Sequence, residues 1–186
     1  MYNGGMDQVE SIVLGGGCFW CTEAVFREVK GIVSVMPGYA GGTIDSPTYD
    51  AVCAGQTGHA EVVQVEYDPN IVSTKDILTI FFATHNPTSL NRQGADVGTQ
   101  YRSAIFYTTP EQKTTAEAII REINNSPDAG EKVVTEVAPL DKFWPAEEYH
   151  YNYFAKNPSN SYCAITINPK LDKIKHKFSQ LLKSQS

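Results

Sequence analysis

The stretch "GGGCFWCTE", residues 15–23, sets two cysteines around two bulky aromatics, directly after three glycines. A C-x-x-C pair can be half of a metal knuckle, a dithiol couple, or a nucleophile with a neighbour. Cys18 follows a short apolar run and a glycine turn, and it opens an amphipathic segment. A helix N-terminus presents unpaired N–H groups and a positive dipole end, which favour a thiolate. The placement therefore points to Cys18 as a reactive thiol of lowered pKa. The glycines would let backbone approach a substrate without Cβ crowding. The plain alternative is an inert cysteine behind a tight turn, with Phe19 and Trp20 as ordinary core. If Cys18 opens to a pocket, the two aromatics wall it and favour an apolar group on the substrate.

Glu61 is the next informative residue. In "AEVVQVEY" the two-residue alternation puts Glu61, Val63, Val65 and Tyr67 on one face and Ala60, Val62, Gln64 and Glu66 on the other. The more apolar face thus carries a carboxyl group at its end. Burial raises a carboxyl pKa, and a neutral Glu can serve as general acid or hydrogen-bond donor. Tyr49 and Tyr101, two of ten tyrosines, lie in loops and matter to chemistry only if they reach the same pocket. Four histidines invite a zinc reading, but Cys18 and Cys21 form the single paired set, Cys53 and Cys163 stand alone, and no H-x₃₋₅-H pair occurs. No metal or other cofactor is expected. A Cys-His-Asp hydrolase with His150 or His59 as base stays open, without a local motif behind it.

The elements that must position these groups alternate in type. "SIVLGGG", "IVSVMPGY", "AEVVQVEYD", "YRSAIFY" and "KVVTEVAPL" read as strands, and "YCAITINP" as a short extended run. "CFWCTEAVFREVKG" reads as a helix closed by Gly31 at C′. "STKDILTIFFATH" has Ser73 and Asp76 at capping-box spacing, and "TPEQKTTAEAIIREINN" has Thr109 at N-cap and Pro110 at N1. "AEEYHYNYFAK" and the C-terminal "KLDKIKHKFSQLLK" complete the helices, the latter with Leu171, Ile174, Phe178 and Leu181 at helical spacing. Residues 40–58 read as a loop rich in Gly, Thr, Ser and Pro. Residues 86–100, "NPTSLNRQGADVGTQ", form a long aperiodic loop of the kind that is usually functional.

The pattern predicts one α+β domain of two layers over residues 1–186, with residues 1–10 and 183–186 as flexible ends. Hydrophobic residues make up 41% and charged residues 19%, ordinary for a soluble globular chain. A net charge of -6 argues against a nucleic-acid partner. No targeting segment or membrane-length apolar run is visible, so the expected location is the cytoplasm, where disulfides are transient and catalytic. A monomer is expected.

Four blocks, "GGGCFWCTEAVF", "PTYDAVCAGQTGHAEVVQVEYDP", "FFATHNPTSLNRQGADVGTQYRSAIFY" and "FWPAEEYHYNYF", together resemble the peptide-methionine (S)-S-oxide reductases, the MsrA family. The resemblance runs from about Ile12 to Pro169. It implies a two-layer sandwich with a ferredoxin-like core, and it implies roles. Cys18 would attack the sulfoxide sulfur, and Glu61, Tyr49 and Tyr101 would hydrogen-bond its oxygen. Phe19 and Trp20 would hold the methyl group, Asp96 would help position the substrate, and His150 would adjoin the site. A second thiol would then condense with the Cys18 sulfenic acid, and an external dithiol such as thioredoxin or dithiothreitol would complete the cycle. By its place in "NSYC", Cys163 matches the resolving cysteine of relatives. Cys21, at i+3 on the helix, competes with it. Cys53 is assigned no role. Ala95 departs from the family, where Asn before the loop Asp is common.

Two rivals predict different things. A thioredoxin-like dithiol oxidoreductase would need Cys21 and act on protein disulfides. A metal-stabilised binding module would carry stoichiometric zinc.

Overall fold

The computed structural model describes residues 8–184. Its centre is a ferredoxin-like βαββαβ unit. Strand β1 (Glu10–Gly16) leads into helix α1 (Phe19–Arg27), then β2 (Ile32–Ala40), β3 (Ala60–Tyr67), α3 (Thr74–Ala83) and β6 (Ser103–Tyr107). Between them lie α2 (Tyr49–Cys53) and the two-residue strands β4 (Arg92–Gln93) and β5 (Asp96–Val97). The four main strands pair antiparallel in the order β6-β1-β3-β2. Beyond them, β7 (Glu136–Pro139) joins β6 in parallel and β8 (Phe143–Pro145) joins β2, giving six strands.

The edge strands are consecutive in sequence. Laid flat, five strand spacings would put β7 and β8 about 24 Å apart. The three residues between them, Leu140 to Lys142, span about 15 Å at full extension. The sheet must therefore curl. Its concave side encloses a small cluster of Val13, Ala40, Ala60, Val62, Ala104 and Phe106, closed by Ala138, Leu140 and Phe143.

The other face carries the helices. Ile12, Leu14, Val63, Val65 and Tyr67 pack against Phe19, Val25 and Phe26 of α1 and Ile77 to Phe82 of α3. Ala116 and Ile119 come from α4 (Pro110–Asn125), and Ile174 from α6 (Ser161–Lys177). Two caps form as their residues predict. Ser73 and Asp76 make a full capping box, and Thr109 accepts from Gln112 N–H with Pro110 at the first turn.

Several segments differ from expectation. Helix α1 ends at Arg27 with Glu28 as its cap, so Gly31 is not C′; it still needs glycine, because φ is +79° and a Cβ would meet Ile71 and Val72 at 2.9 Å. Residues 40–58 contain α2, started by Thr48 accepting from Ala51 N–H. "YCAITINP" is not extended but forms the first half of α6, capped by Asn160 and running through Pro169. That proline leaves the Ile165 carbonyl without its helical donor, and Ile165 is largely solvent-exposed. "AEEYHYNYFAK" is not one helix. A 3₁₀ turn at Glu148–His150 gives way to Asn152 at φ +53°, then α5 (Tyr153–Lys156). Tertiary bonding wins there, since the Asn152 N–H is drawn 2.8 Å from the buried Glu23 carboxylate.

Of the ends expected to be flexible, residues 1–7 and 185–186 lie outside the described residues. Glu10 is already paired in β1, and Lys183 N–H donates to the Glu28 carbonyl at 2.8 Å.

Candidate active site

The glycine turn after β1 delivers Cys18 to the start of α1, as the residues suggest, but the glycines serve packing. Gly17 sits at φ +95°, and a Cβ there would lie 2.8 Å from Gln93. The turn thus lets the β4–β5 hairpin close over Cys18. At the helix start, the Phe19 N–H donates to Glu61 Oε2 at 3.1 Å. The β3 carboxyl group, 1% exposed, therefore lies directly under the first turn of α1. Burial pushes its pKa up to about 8, against the pull of the Phe19 bond and with help from the Asp96 and Cys21 charges. Glu61 is mostly neutral at pH 7.

Cys18 does not have the lowered pKa its position predicts. Burial, a hydrogen bond to Cys21 and the neighbouring Glu61 and Cys21 charges push it well above the usual thiol value. The Trp20 N–H opposes them, so the helix-start effect exists but is outweighed. Cys21 goes the other way. The Cys18 hydrogen bond, Lys170 and the Tyr162 hydroxyl together outweigh its burial and the Asp96 charge, and hold it low.

An aromatic wall covers one flank. Phe19 is fully buried, its ring 4.9 Å from His150 and 6.3 Å from Tyr49. Trp20 stacks on Tyr153 at 3.7 Å and donates its indole N–H to His150 Nδ1 at 3.0 Å. His150 Nε2 therefore carries the proton and has no partner among the described residues. Burial lowers the His150 pKa, keeping the ring neutral. With Nδ1 occupied, His150 is no base for Cys18. His59 is none either: its ring accepts from Gly42 N–H at 3.0 Å and donates to the Ile44 carbonyl at 2.7 Å, holding the 42–59 loop. The hydrolase reading has no geometry behind it.

Tyr49 opens α2 and Tyr101 ends a 3₁₀ turn at Thr99–Tyr101. Burial, then the Glu61 charge, raises both phenols above their ordinary value, so both stand near Glu61 as neutral donors. Both also sense Cys53 at the C-terminal end of α2, which places that exposed thiol at the edge of the site.

The other flank of Cys18 is open. A cleft of about 450 Å³ is lined by Cys18, Cys21, Asp96, Tyr162, Ile165 and Lys170, among others. Asp96 accepts from Tyr162 Oη at 2.5 Å, which ties the hairpin to α6. Glu61, Phe19, Trp20, Tyr49 and Tyr101 do not line this cleft. Cys18 thus sits between the aromatic, acid-bearing wall and the open cleft. Cys163 is fully buried with Cys18, Cys21, Ala24 and Ile167 in one cluster, and all four cysteines are free thiols. Among the described residues, no group of three or more His, Cys, Asp or Glu could hold a metal ion, and no helix is long and apolar enough to cross a membrane.

Sequence reasoning missed the supports. Glu147 accepts from Tyr39 Oη at 2.9 Å and from Tyr49 N–H at 3.0 Å, which sets α2 against the His150 turn. Glu23, 1% exposed, holds Asn152 and pairs with Arg27 at 2.9 Å. Its place one turn after Cys18, inside an apolar helix face, was a readable signal.

A free thiol beside a neutral carboxyl group and two further thiols, on a ferredoxin-like sheet, is a set that thiol redox chemistry can use. Residues 10–182 match the family model described as peptide methionine sulfoxide reductase. The peptide methionine sulfoxide reductase MsrA of Haloquadratum walsbyi is 54% identical over 173 residues, covering 93% of this chain and 98% of that protein. The chain belongs to this family, the peptide methionine sulfoxide reductases of the MsrA type. Among solved structures, Mxr1 from Saccharomyces cerevisiae in reduced form aligns with a TM-score of 0.78 at 38% identity, over 84% of this chain and 90% of that one. Mxr1 in complex with Trx2 aligns at 0.56 and 27% identity, over 81% and 90%.

Proposed function

We propose that the chain reduces methionine-S-sulfoxide, free or in proteins, to methionine, as repair of oxidative damage, with the residues around Cys18 in the following roles. Cys18 sulfur attacks the sulfoxide sulfur. As the S–O bond weakens, charge grows on oxygen, and Glu61 supplies a proton to it while Tyr49 and Tyr101 donate hydrogen bonds. The S–S bond made by the attack breaks as the oxygen passes to Cys18; methionine leaves with two more electrons, Cys18 is left as sulfenic acid, and the proton lost by its thiol returns to Glu61. A carboxylate would repel the developing charge, so the observation that carries the reading is the buried, neutral Glu61 beneath the Cys18 turn. Phe19 and Trp20 hold the methyl group against the aromatic wall, with His150 fixing the Trp20 indole, and Asp96 orients the rest of the substrate from the hairpin.

A second thiol then condenses with the sulfenic acid. Cys163 and Cys21 both belong to the buried thiol cluster, so either is within the neighbourhood from which an intramolecular disulfide forms. A dithiol reductant of the thioredoxin type returns the enzyme to its thiol state; the solved complex of Mxr1 with Trx2 supports this partner. No bound cofactor enters this scheme. A cycle that passes through reduced thiols suits the cytoplasm.

The test is stereochemical. Purified protein with dithiothreitol should reduce the S epimer of methionine sulfoxide and leave the R epimer. Reduction of both at equal rates, or of neither, overturns the proposal.

A further inference from the structure

Helix α6 carries a cation onto the thiol cluster. Lys170 Nζ donates to the Thr84 carbonyl just beyond α3, which anchors the side chain across the helix layer. It lines the open cleft with Cys18, Cys21, Asp96 and Tyr162. It also lines a smaller cavity beneath, with Cys21, Thr22, Phe81 and His85. Lys170 and Cys21 thus share the lining of both cavities at the helix start. Tyr162, two turns earlier on α6, donates its hydroxyl proton to Asp96 and lines the same cleft as Cys21.

The two candidate resolving thiols therefore stand in different surroundings. Once Cys18 is a sulfenic acid and the Tyr162 proton is held by Asp96, the group facing Cys21 that favours a thiolate is the Lys170 ammonium, which shares the lining of both cavities with it. Cys163 is packed with Ala24 and Ile167; burial pushes its thiol up, and Cys21 is the charge it senses. The thiolate is the species that attacks a sulfenic sulfur.

We propose that Lys170 is a positioning residue for the second half of the reaction, holding Cys21 as the thiolate that first attacks the Cys18 sulfenic acid, ahead of Cys163. The inference rests on Cys18 as the sulfenic acid of the proposed function. The Cys21 Sγ–Cys18 Sγ bond forms as the Cys18 S–O bond breaks, and the oxygen leaves as hydroxide that takes a proton to become water. The sulfenic sulfur is reduced and the Cys21 sulfur oxidised to the common disulfide level, so no further oxidant is required. The groups that bias Cys21 are Cys18 on α1, Glu61 on β3, Asp96 on β5, His85 after α3, and Tyr162, Cys163 and Lys170 on α6, with Lys173 acting on Lys170.

The experiment is a single turnover without reductant, following methionine release and thiol loss from pH 6 to pH 9, with peptide mapping of the first disulfide. In the unmodified enzyme the first disulfide should join Cys18 to Cys21. In Lys170→Met, disulfide formation should slow relative to methionine release by about tenfold at pH 7, the effect of one pKa unit, and its pH midpoint should rise. Lys170→Arg should restore both, which loss of packing alone would not explain. Lys170→Gln provides a second neutral variant should Lys170→Met fold poorly. A first disulfide between Cys18 and Cys163, or an unchanged midpoint in both neutral variants, overturns the inference. Absence of any methionine burst in the unmodified enzyme instead overturns the underlying role of Cys18.

Discussion

Glu61 provides the sharpest consequence of the geometry, because its protonation links chemistry to stability. A carboxyl group at about 8 in the folded chain, against about 4.3 unfolded, binds more protons folded than unfolded between those values. Stability must therefore fall as pH rises through that window. The penalty is absent below the unfolded value, grows between the two, and is constant above pH 8. From pH 5 to pH 8 the difference amounts to about 3–4 kcal/mol, at about 1.4 kcal/mol per pKa unit. Glu61 is 1% exposed, so solvent screening offers little discount. Glu61→Gln removes the titration while keeping a donor. Urea unfolding of both proteins at pH 5 and pH 8 isolates the effect, since groups that do not interact with Glu61 cancel. The unmodified protein should lose about 3–4 kcal/mol relative to Glu61→Gln over that range. The rate of methionine release should follow the same proton, falling above pH 8 in the unmodified enzyme. In Glu61→Gln it should be lower and lack that fall, by the 10²–10⁴-fold typical of a lost general acid. A stability gap independent of pH would mean that Glu61 is an ordinary charged carboxylate, and the reasoning would be wrong.

Other consequences follow from single contacts. Phe19→Ala should cost about 3–5 kcal/mol in denaturant unfolding, because the ring is fully buried in the main core; a loss below 1 kcal/mol would mean the wall is not packed as described. Glu23→Ala should cost about 1–3 kcal/mol and expose the Asn152 amide to hydrogen exchange, whereas Arg27→Ala should leave that amide protected. Loss of Asn152 protection in Arg27→Ala as well would show that the ion pair, and not the Asn152 bond, is what Glu23 provides. Gly17→Ala should cost more than about 1 kcal/mol, since φ is +95° and Gln93 blocks the new methyl; a neutral effect would place the hairpin elsewhere.

Much of the architecture was readable locally, because it rests on local rules. The period-2 run of β3 put Glu61 with Val63, Val65 and Tyr67, and those residues do face the helices. The caps at Ser73 and Thr109 form as written. What could not be read was decided by partners far along the chain. Asn152 leaves the helix expected around it because Glu23, 129 residues earlier, takes its N–H. The first half of α6 contains β-branched residues and a proline, yet packing of Cys163, Ile167 and Ile174 makes it helical. The pKa of Cys18 departs from its sequence expectation for the same reason. Its helix start was legible, whereas the burial and neighbouring groups that outweigh it come from the tertiary fold.

The central claim is that Cys18 takes the oxygen from the sulfoxide. Its most direct test is a single turnover of the Cys21→Ser, Cys163→Ser double variant with methionine-S-sulfoxide and no reductant, trapped with a sulfenic-acid reagent and mapped by mass spectrometry. The account predicts one methionine released per enzyme and one adduct, on Cys18. Methionine released with the adduct on Cys53, or with Cys18 left as free thiol, would contradict it.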